Sequence, residues 1–280
     1  MKKILVTTDF SASSRAALYF AIQLASQVNC SLTFFHSFHL MAPTSWNEKV
    51  FESFDKSETH KIERKLQRMV ESIYDRTGLK RGHYESVISK SLFPEKDILE
   101  YATGNEFDFI CISRRGLSSH KNIFGTVTSG LINKSVVPII AVPPNYRTKK
   151  MTKLLYVSDL ASLDKEVNRV IGFAEPLKVK LELLHFRVPS DIDPQMIDKA
   201  NKKFSGHQIR LHLRDFNFSE SLVKNIDKEI RASKPSMVIM FTQQHRDFFA
   251  RLFLPGVTPS YAFKARVPLL IFPKTDSKKA

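Results

Sequence analysis

Met1-Lys2-Lys3-Ile4-Leu5-Val6-Thr7-Thr8-Asp9-Phe10-Ser11 returns 150 residues later as Met151-Thr152-Lys153-Leu154-Leu155-Tyr156-Val157-Ser158-Asp159-Leu160-Ala161. Each version is a short apolar, β-branched run that stops at an acid, which is how a buried strand reads. Val137-Pro138-Ile139-Ile140-Ala141-Val142-Pro143 likewise returns as Val267-Pro268-Leu269-Leu270-Ile271-Phe272-Pro273. A repeat of this length means two copies of one fold rather than one large unit. Residues 1–146 and 153–275 are therefore expected to be two domains, with 147–152 as the linker. The offset between copies falls from 150 at the start to 130 at the end, so the second copy is shorter by about twenty residues. The loss falls where the first copy has its longest helical pattern.

Between these landmarks, strands and helices alternate. Strands are expected at 3–8, 31–37, 83–88, 107–113 and 138–142, and again at 153–158, 180–186, 207–213, 236–242 and 267–272. Ser11 is placed to cap a helix carrying Ala17, Phe20, Ala21 and Leu24 at helical spacing. Residues 45–77 put Ile62, Leu66, Val70 and Ile73 on one face and stop at Gly78. Pro94 opens a further helix that Gly104 closes, and another runs from Thr126 to Lys134. In the second copy, Val167, Val170 and Ala174 mark one helix, and Leu222, Ile226 and Ile230 another. Runs apolar on both faces, alternating with helices, imply parallel sheets wrapped on both sides. The predicted class is α/β, with two tandem open five-stranded parallel sandwiches.

Bulk composition excludes several functions. The chain has 280 residues, 42% of them hydrophobic and 25% charged, which suits ordinary globular domains. No apolar run is long enough to cross a membrane, and Ile4-Leu5-Val6 is too short for a secretion signal. Two cysteines, Cys30 and Cys111, fit a reducing cytoplasm, with Cys111 as a small core residue. The net charge of +15 raises nucleic acid as a partner, but it divides evenly, +7 on residues 1–150 and +8 on 151–280. A nucleic-acid face usually concentrates its charge. Arg147 to Lys150 and Lys274 to Lys279 read as a solvated linker and tail.

In an open parallel sheet, ligands bind at the carboxyl ends of the strands where strand order reverses. After strand one both copies place an acid, Asp9 and Asp159. After strand four the first copy reads Ser113-Arg114-Arg115-Gly116, then Gly125-Thr126-Val127-Thr128. Glycines let backbone amides approach phosphate, and a helix starting at Thr126 would add its N-terminal amides. These segments, with Phe35-His36 and Val137 to Val142, resemble a tandem universal stress protein over both halves. The resemblance implies a sheet of adenine nucleotide α-hydrolase type, and ATP or AMP held by a Gly-x2-Gly-x9-Gly-Ser/Thr loop, with magnesium accompanying ATP. Carried over, the candidate nucleotide-binding residues are Thr7, Asp9, Ser37, Ser113, Arg114, Arg115, Gly116, Gly125, Thr126, Val127 and Thr128. Asp9 would contact the adenine side and Ser37 would line the base pocket. Ser113 replaces the first glycine of the pattern, and eight residues rather than nine separate Gly116 from Gly125. Arg114 and Arg115 offer direct phosphate contacts in compensation.

The second copy departs further. Thr242-Gln243-Gln244-His245 replaces both early glycines, and Pro255 stands where Gly125 stood, with no amide to give. No nucleotide is expected there, and Asp159 becomes a turn residue. His36 and His185 read as structural. His207, His212 and His245 are the candidates for a metal, without ligand spacing to support one. Phe248, Phe249, Leu252 and Phe253 form an apolar face suited to core packing or a subunit contact. No nucleophile–base constellation calls for catalysis. The sequence therefore leads to a stress-response binding protein with a nucleotide in its first half and a structural partner in its second. The two final strands would pair within one chain as an internal pseudo-dimer, with a homodimer and an unidentified protein as further partners. The alternatives are a slow ATPase resting on Asp9, and a nucleotide-free interaction scaffold.

Overall fold

The first strand, β1 (Lys2–Thr7), buries Ile4 and Val6 on one face and Leu5 on the other, all at 1% exposure or less. Two buried faces require helices on both sides. The computed structural model describes residues 1–41, 43, 45–114, 126–160, 163–187, 202, 209–242 and 266–273. After β1 come α1 (Arg15–Ala25), β2 (Cys30–Phe38), α2 (Glu48–Thr77), β3 (Tyr84–Lys90) and α3 (Pro94–Gly104). β4 (Phe109–Ser113), α4 (Thr126–Lys134) and β5 (Ile139–Val142) complete the first half. The second half runs β6 (Lys153–Val157), α5 (Leu163–Ala174), a 3-10 turn (Glu175–Leu177) and β7 (Lys180–Arg187). It continues through β8 (Ile209–Asp215), α6 (Leu222–Ser233), β9 (Met237–Phe241) and β10 (Leu269–Phe272).

The strands form one ten-stranded sheet in the order β3-β2-β1-β4-β5-β10-β9-β6-β7-β8. The two expected five-stranded sheets are joined edge to edge through their final strands. Each run of five is parallel, and the two runs meet antiparallel where β5 pairs β10, Ile140 opposite Leu270 and Ala141 opposite Leu269. Ile140, Ala141, Leu269 and Leu270 are all fully buried, so an edge at either strand would expose a long apolar ladder. Pairing the two edges removes both.

Side-chain alternation sorts the core into two layers. One lies beneath α1, α2 and α5 and includes Val6, Phe109, Cys111, Ile140, Leu154 and Leu270. The other lies beneath α3, α4 and α6 and includes Leu5, Ile110, Ile139, Leu155, Val238 and Leu269. Cys111 is fully buried, and its thiol lies 3.6 Å from the Ala17 carbonyl. Among the described residues, no helix is long and apolar enough to cross a membrane.

Local chemistry explains the helix ends. Asn47 accepts the Val50 amide at the start of α2, and Gly78 closes it at φ 64°, where a side chain is strained. Ser221 accepts the Lys224 amide to start α6. Ser11 does not cap α1. That helix begins at Arg15, and the Ser11 hydroxyl instead accepts the Ser14 amide one turn earlier. Only the second half of α2 is buried, from Leu66 onward.

Candidate functional site

The turn after β1 is built by short polar side chains. The Thr8 hydroxyl accepts the Phe10 amide (3.1 Å), while Phe10 sits in the left-handed region at φ 61°. Leu160 repeats the turn at φ 67°, with the Ser158 hydroxyl accepting its amide at 3.0 Å. A non-glycine residue pays strain in this region, so the local hydrogen bonds hold it there. His36 Nδ1 lies 2.7 Å from the Thr8 carbonyl and His185 Nδ1 lies 3.0 Å from the Ser158 carbonyl, each ring serving as a strut from strand two to the turn. Burial lowers the His36 pKa, with the Lys65 charge helping and the Thr8 carbonyl and Asp9 opposing. A neutral His36 donates Nδ1–H to that carbonyl.

This turn borders a cleft of about 180 Å³ at the carboxyl ends of β1, β2 and β4, where strand order reverses between β1 and β4. Its polar side carries Thr7, Thr8, Asp9, Ser11, Ser13 and Ser14. Phe35, Pro94, Ile98, Ile112 and Val127 make the apolar side, with Ser37, Ser113 and Thr128 completing the lining. Burial pushes the Asp9 carboxyl up, but hydrogen bonds from Ser11 and Ser14 outweigh that and hold it below the ordinary carboxylate range. Asp9 is therefore an anion at neutral pH, and its Oδ1 accepts the Ser11 amide at 2.9 Å. The Ser37 hydroxyl is buried in the lining and has no hydrogen-bond partner among the described residues. Such a group marks a place where a ligand or water donor belongs.

Six residues singled out by sequence line this cleft together: Thr7, Asp9, Ser37, Ser113, Val127 and Thr128. Arg114 does not. Its backbone amide pairs with the Val142 carbonyl as a continuation of β4, and its side chain is 3% exposed. Burial lowers its guanidinium pKa to about 10. A direct phosphate contact from Arg114 in this arrangement is thus replaced by a buried position beside the strand. Arg115, Gly116 and Gly125 lie outside the described residues, and of Thr126 only its place at the start of α4 is described. Sequence reasoning passed over Ser13 and Ser14. Their signal is the serine-rich run Ser11-Ala12-Ser13-Ser14 directly after the acid. Phe35 and Ile98 were not among the candidate site residues, because apolar walls of a site and of a core look alike in sequence.

Ser113 is held by a 2.6 Å hydrogen bond from its hydroxyl to the Ser13 carbonyl, which ties β4 to the approach of α1. The second half builds this corner differently. By sheet register, Phe241 corresponds to Ser113 and Phe272 to Val142. The two rings stack at 5.0 Å, and the Arg169 guanidinium lies 4.6 Å over Phe272 while donating to the Pro273 carbonyl at 2.9 Å. Beneath them the buried Tyr156 hydroxyl donates to Glu166. Aromatic rings and a buried polar pair stand where the first half has small side chains.

Other candidates resolve more simply. Among the described residues, no group of three or more His, Cys, Asp or Glu gathers to hold a metal. His212 lies 3.8 Å from Glu182, while His207 and His245 lie outside the described residues. So do Phe248, Phe249, Leu252, Phe253, Pro255 and the tail from Lys274. Residues 147–150 are exposed, as a solvated linker requires.

Comparison with known proteins gives a family and a fold. A family model described as the universal stress protein family matches residues 1–143. A solved universal stress protein from Archaeoglobus fulgidus DSM 4304 superposes with a TM-score of 0.69 at 14% identity, covering 99% of this chain and 97% of that one. A universal stress protein from Pseudomonas aeruginosa UCBPP-PA14 gives 0.59 at 9% identity, covering 98% and 93%. A functionally unknown protein from Pseudomonas aeruginosa PAO1 gives 0.61 at 9% identity, covering 98% and 92%. At these identities the structures speak for the α/β fold. No curated protein matches the chain.

Proposed function

The chain belongs to the universal stress protein family, and from that premise we propose that its first half holds an adenine nucleotide, ATP or AMP, as a stress-response regulator. The observation that carries this is the buried Ser37 hydroxyl, unpartnered among the described residues, in a cleft polar on one side and apolar on the other. A purine has that same division. Its faces suit Phe35, Ile98 and Val127, and its edge suits Ser37 and the Asp9 carboxylate. The ribose and phosphates would run toward Ser113, Thr128 and the amino end of α4, where backbone amides favour an anion. With ATP, magnesium would accompany the phosphates, while Asp9 stays at the adenine side.

We read residues 1–146 and 153–275 as two domains of this family joined by 147–152, the second acting as a structural partner through β10. The stacked Phe241 and Phe272 under Arg169 support a second half without nucleotide. A nucleotide-free scaffold is the second reading, favoured by the Cβ and tied hydroxyl of Ser113 where the family loop uses glycine.

Identification of any co-purifying small molecule, followed by calorimetric titration with ATP and AMP with and without magnesium, separates the readings. One nucleotide per chain, lost on Ile98→Glu, fits the proposal. No heat at millimolar nucleotide leaves the scaffold.

A further inference from the structure

The internal two-fold makes two quasi-equivalent corners at the amino ends of the strands, and they are finished differently. At one corner, Gln27 reaches across and pairs twice with the backbone of Met151, donating from Nε2 to its carbonyl (3.1 Å) and accepting its amide at Oε1 (2.8 Å). Met151 is 2% exposed and Ile22 is 1% exposed, so this corner is full. At the other corner the counterpart of Gln27 is Leu177, which makes no such clamp, and the counterpart of Ile22 is Gly172. Met1, the counterpart of Met151, is 76% exposed. What remains is a hollow of about 250 Å³ walled by Ile4, Leu24, Val28, Phe109, Phe173 and Leu177.

Two features single this hollow out. A Cβ built on Gly172 meets nothing within 4 Å, so the glycine leaves the side of the hollow open. Glycine inside a helix costs about 1 kcal/mol relative to alanine, and no positive φ calls for it here. At the mouth, Lys2 Nζ donates to Asp108 Oδ1 (2.8 Å), while Asp108 Oδ2 accepts the Lys3 amide (2.8 Å). Each Asp108 oxygen already has a donor. The Lys2 ammonium, 55% exposed, has further protons to give.

We propose that this hollow binds a small apolar carboxylate, such as a medium-chain fatty acid, with its chain lying along the wall made by the Phe109 and Phe173 rings, which touch edge to face at 5.4 Å, and its head on Lys2. An apolar cavity of ~150 Å³ holds a benzene-sized guest, so this one has room for a longer chain. The net charge of +15 favours an anionic head over a cationic one. The site draws on both halves of the chain, unlike the cleft beside Asp9, and neither depends on the other.

Cys30 lines the hollow and reports on it, because Cys111 is fully buried. Burial holds the Cys30 thiol up at about 11, so its labelling belongs at roughly pH 9, where enough thiolate forms. Sodium octanoate is expected to slow labelling saturably and to give binding heat by calorimetry. Gly172→Leu fills the hollow, favours the helix, and should abolish both signals in a protein that melts normally. Lys2→Gln should weaken octanoate about two- to fivefold, the scale of one exposed ion pair, and leave octanol unchanged. Absence of octanoate heat in the wild type, or equal binding by Gly172→Leu, overturns the proposal. Either result would assign the space to the chain's own Met1 side chain or to solvent.

Discussion

Ser37→Ala should move stability and affinity in opposite directions. In the free protein the Ser37 hydroxyl is buried in the cleft without a partner among the described residues. An unsatisfied buried polar group costs about 1–3 kcal/mol. Removing it leaves the methyl of alanine against Phe35 and Ile98, so the free protein should gain about 1 kcal/mol in urea unfolding. If the nucleotide supplies the missing partner, the same change deletes one hydrogen bond from the complex, worth about 0.5–1.5 kcal/mol. That is about a two- to twelvefold loss of affinity by calorimetry. A packing role would lower stability without a specific effect on affinity, and a surface role would leave both unchanged. Destabilisation by more than about 0.5 kcal/mol would show that the hydroxyl is already satisfied within the fold. Unchanged affinity would remove the base from this wall of the cleft.

Leu270→Ala at the joint between the halves deletes three fully buried carbon groups, and should cost about 3–5 kcal/mol in urea unfolding against less than about 0.5 for exposed Leu92→Ala. The lowered His36 pKa means that the folded state prefers the neutral ring, so this contribution is full above the ordinary imidazole value of about 6.5 and is lost as pH falls below it. Melting temperature should therefore fall between about pH 7 and pH 5, and less steeply in His36→Gln. Arg169→Met keeps the stem over Phe272 but removes the charged hydrogen bond to the Pro273 carbonyl, for an expected loss of about 2 kcal/mol in chemical denaturation. Gly78→Ala should cost about 1 kcal/mol through backbone strain alone, because φ is 64° and no atom lies within 4 Å of the new methyl.

Part of the candidate site was legible because its chemistry is local in the chain. The turn after β1 needs a side-chain acceptor two residues before a left-handed residue, and Thr8 and Ser158 stand in register in the two repeats. Asp9 ends an apolar strand, which puts it at a carboxyl edge in any parallel sheet. Arg114 shows the limit. Directly after a strand and before a glycine, it reads as a free cation facing a phosphate. Whether such a side chain points out or in depends on how far the strand ladder continues, and the hydrogen bond that the Arg114 backbone N–H donates to the Val142 carbonyl extends that ladder by one residue. The hollow beside Lys2 left no trace in either repeat alone. It appears only when Gly172 is set against Ile22 and Leu177 against Gln27.

From sequence alone came the duplication, the α/β alternation, the helices from Pro94 and Thr126, and the acid at each first-strand end. These follow from spacing and backbone preference, which act over a few residues and carry the same meaning wherever the chain goes. Tertiary structure alone decided that Ser37 is buried without a partner among the described residues, and that Phe241 and Phe272 stack where the first half has Ser113 and Val142. Each of these is set by which segments meet in space, as Phe241 and Phe272 do, or by the lack of such a contact. Period and propensity do not encode it, because burial on a second face belongs to the partner surface as much as to the residue itself.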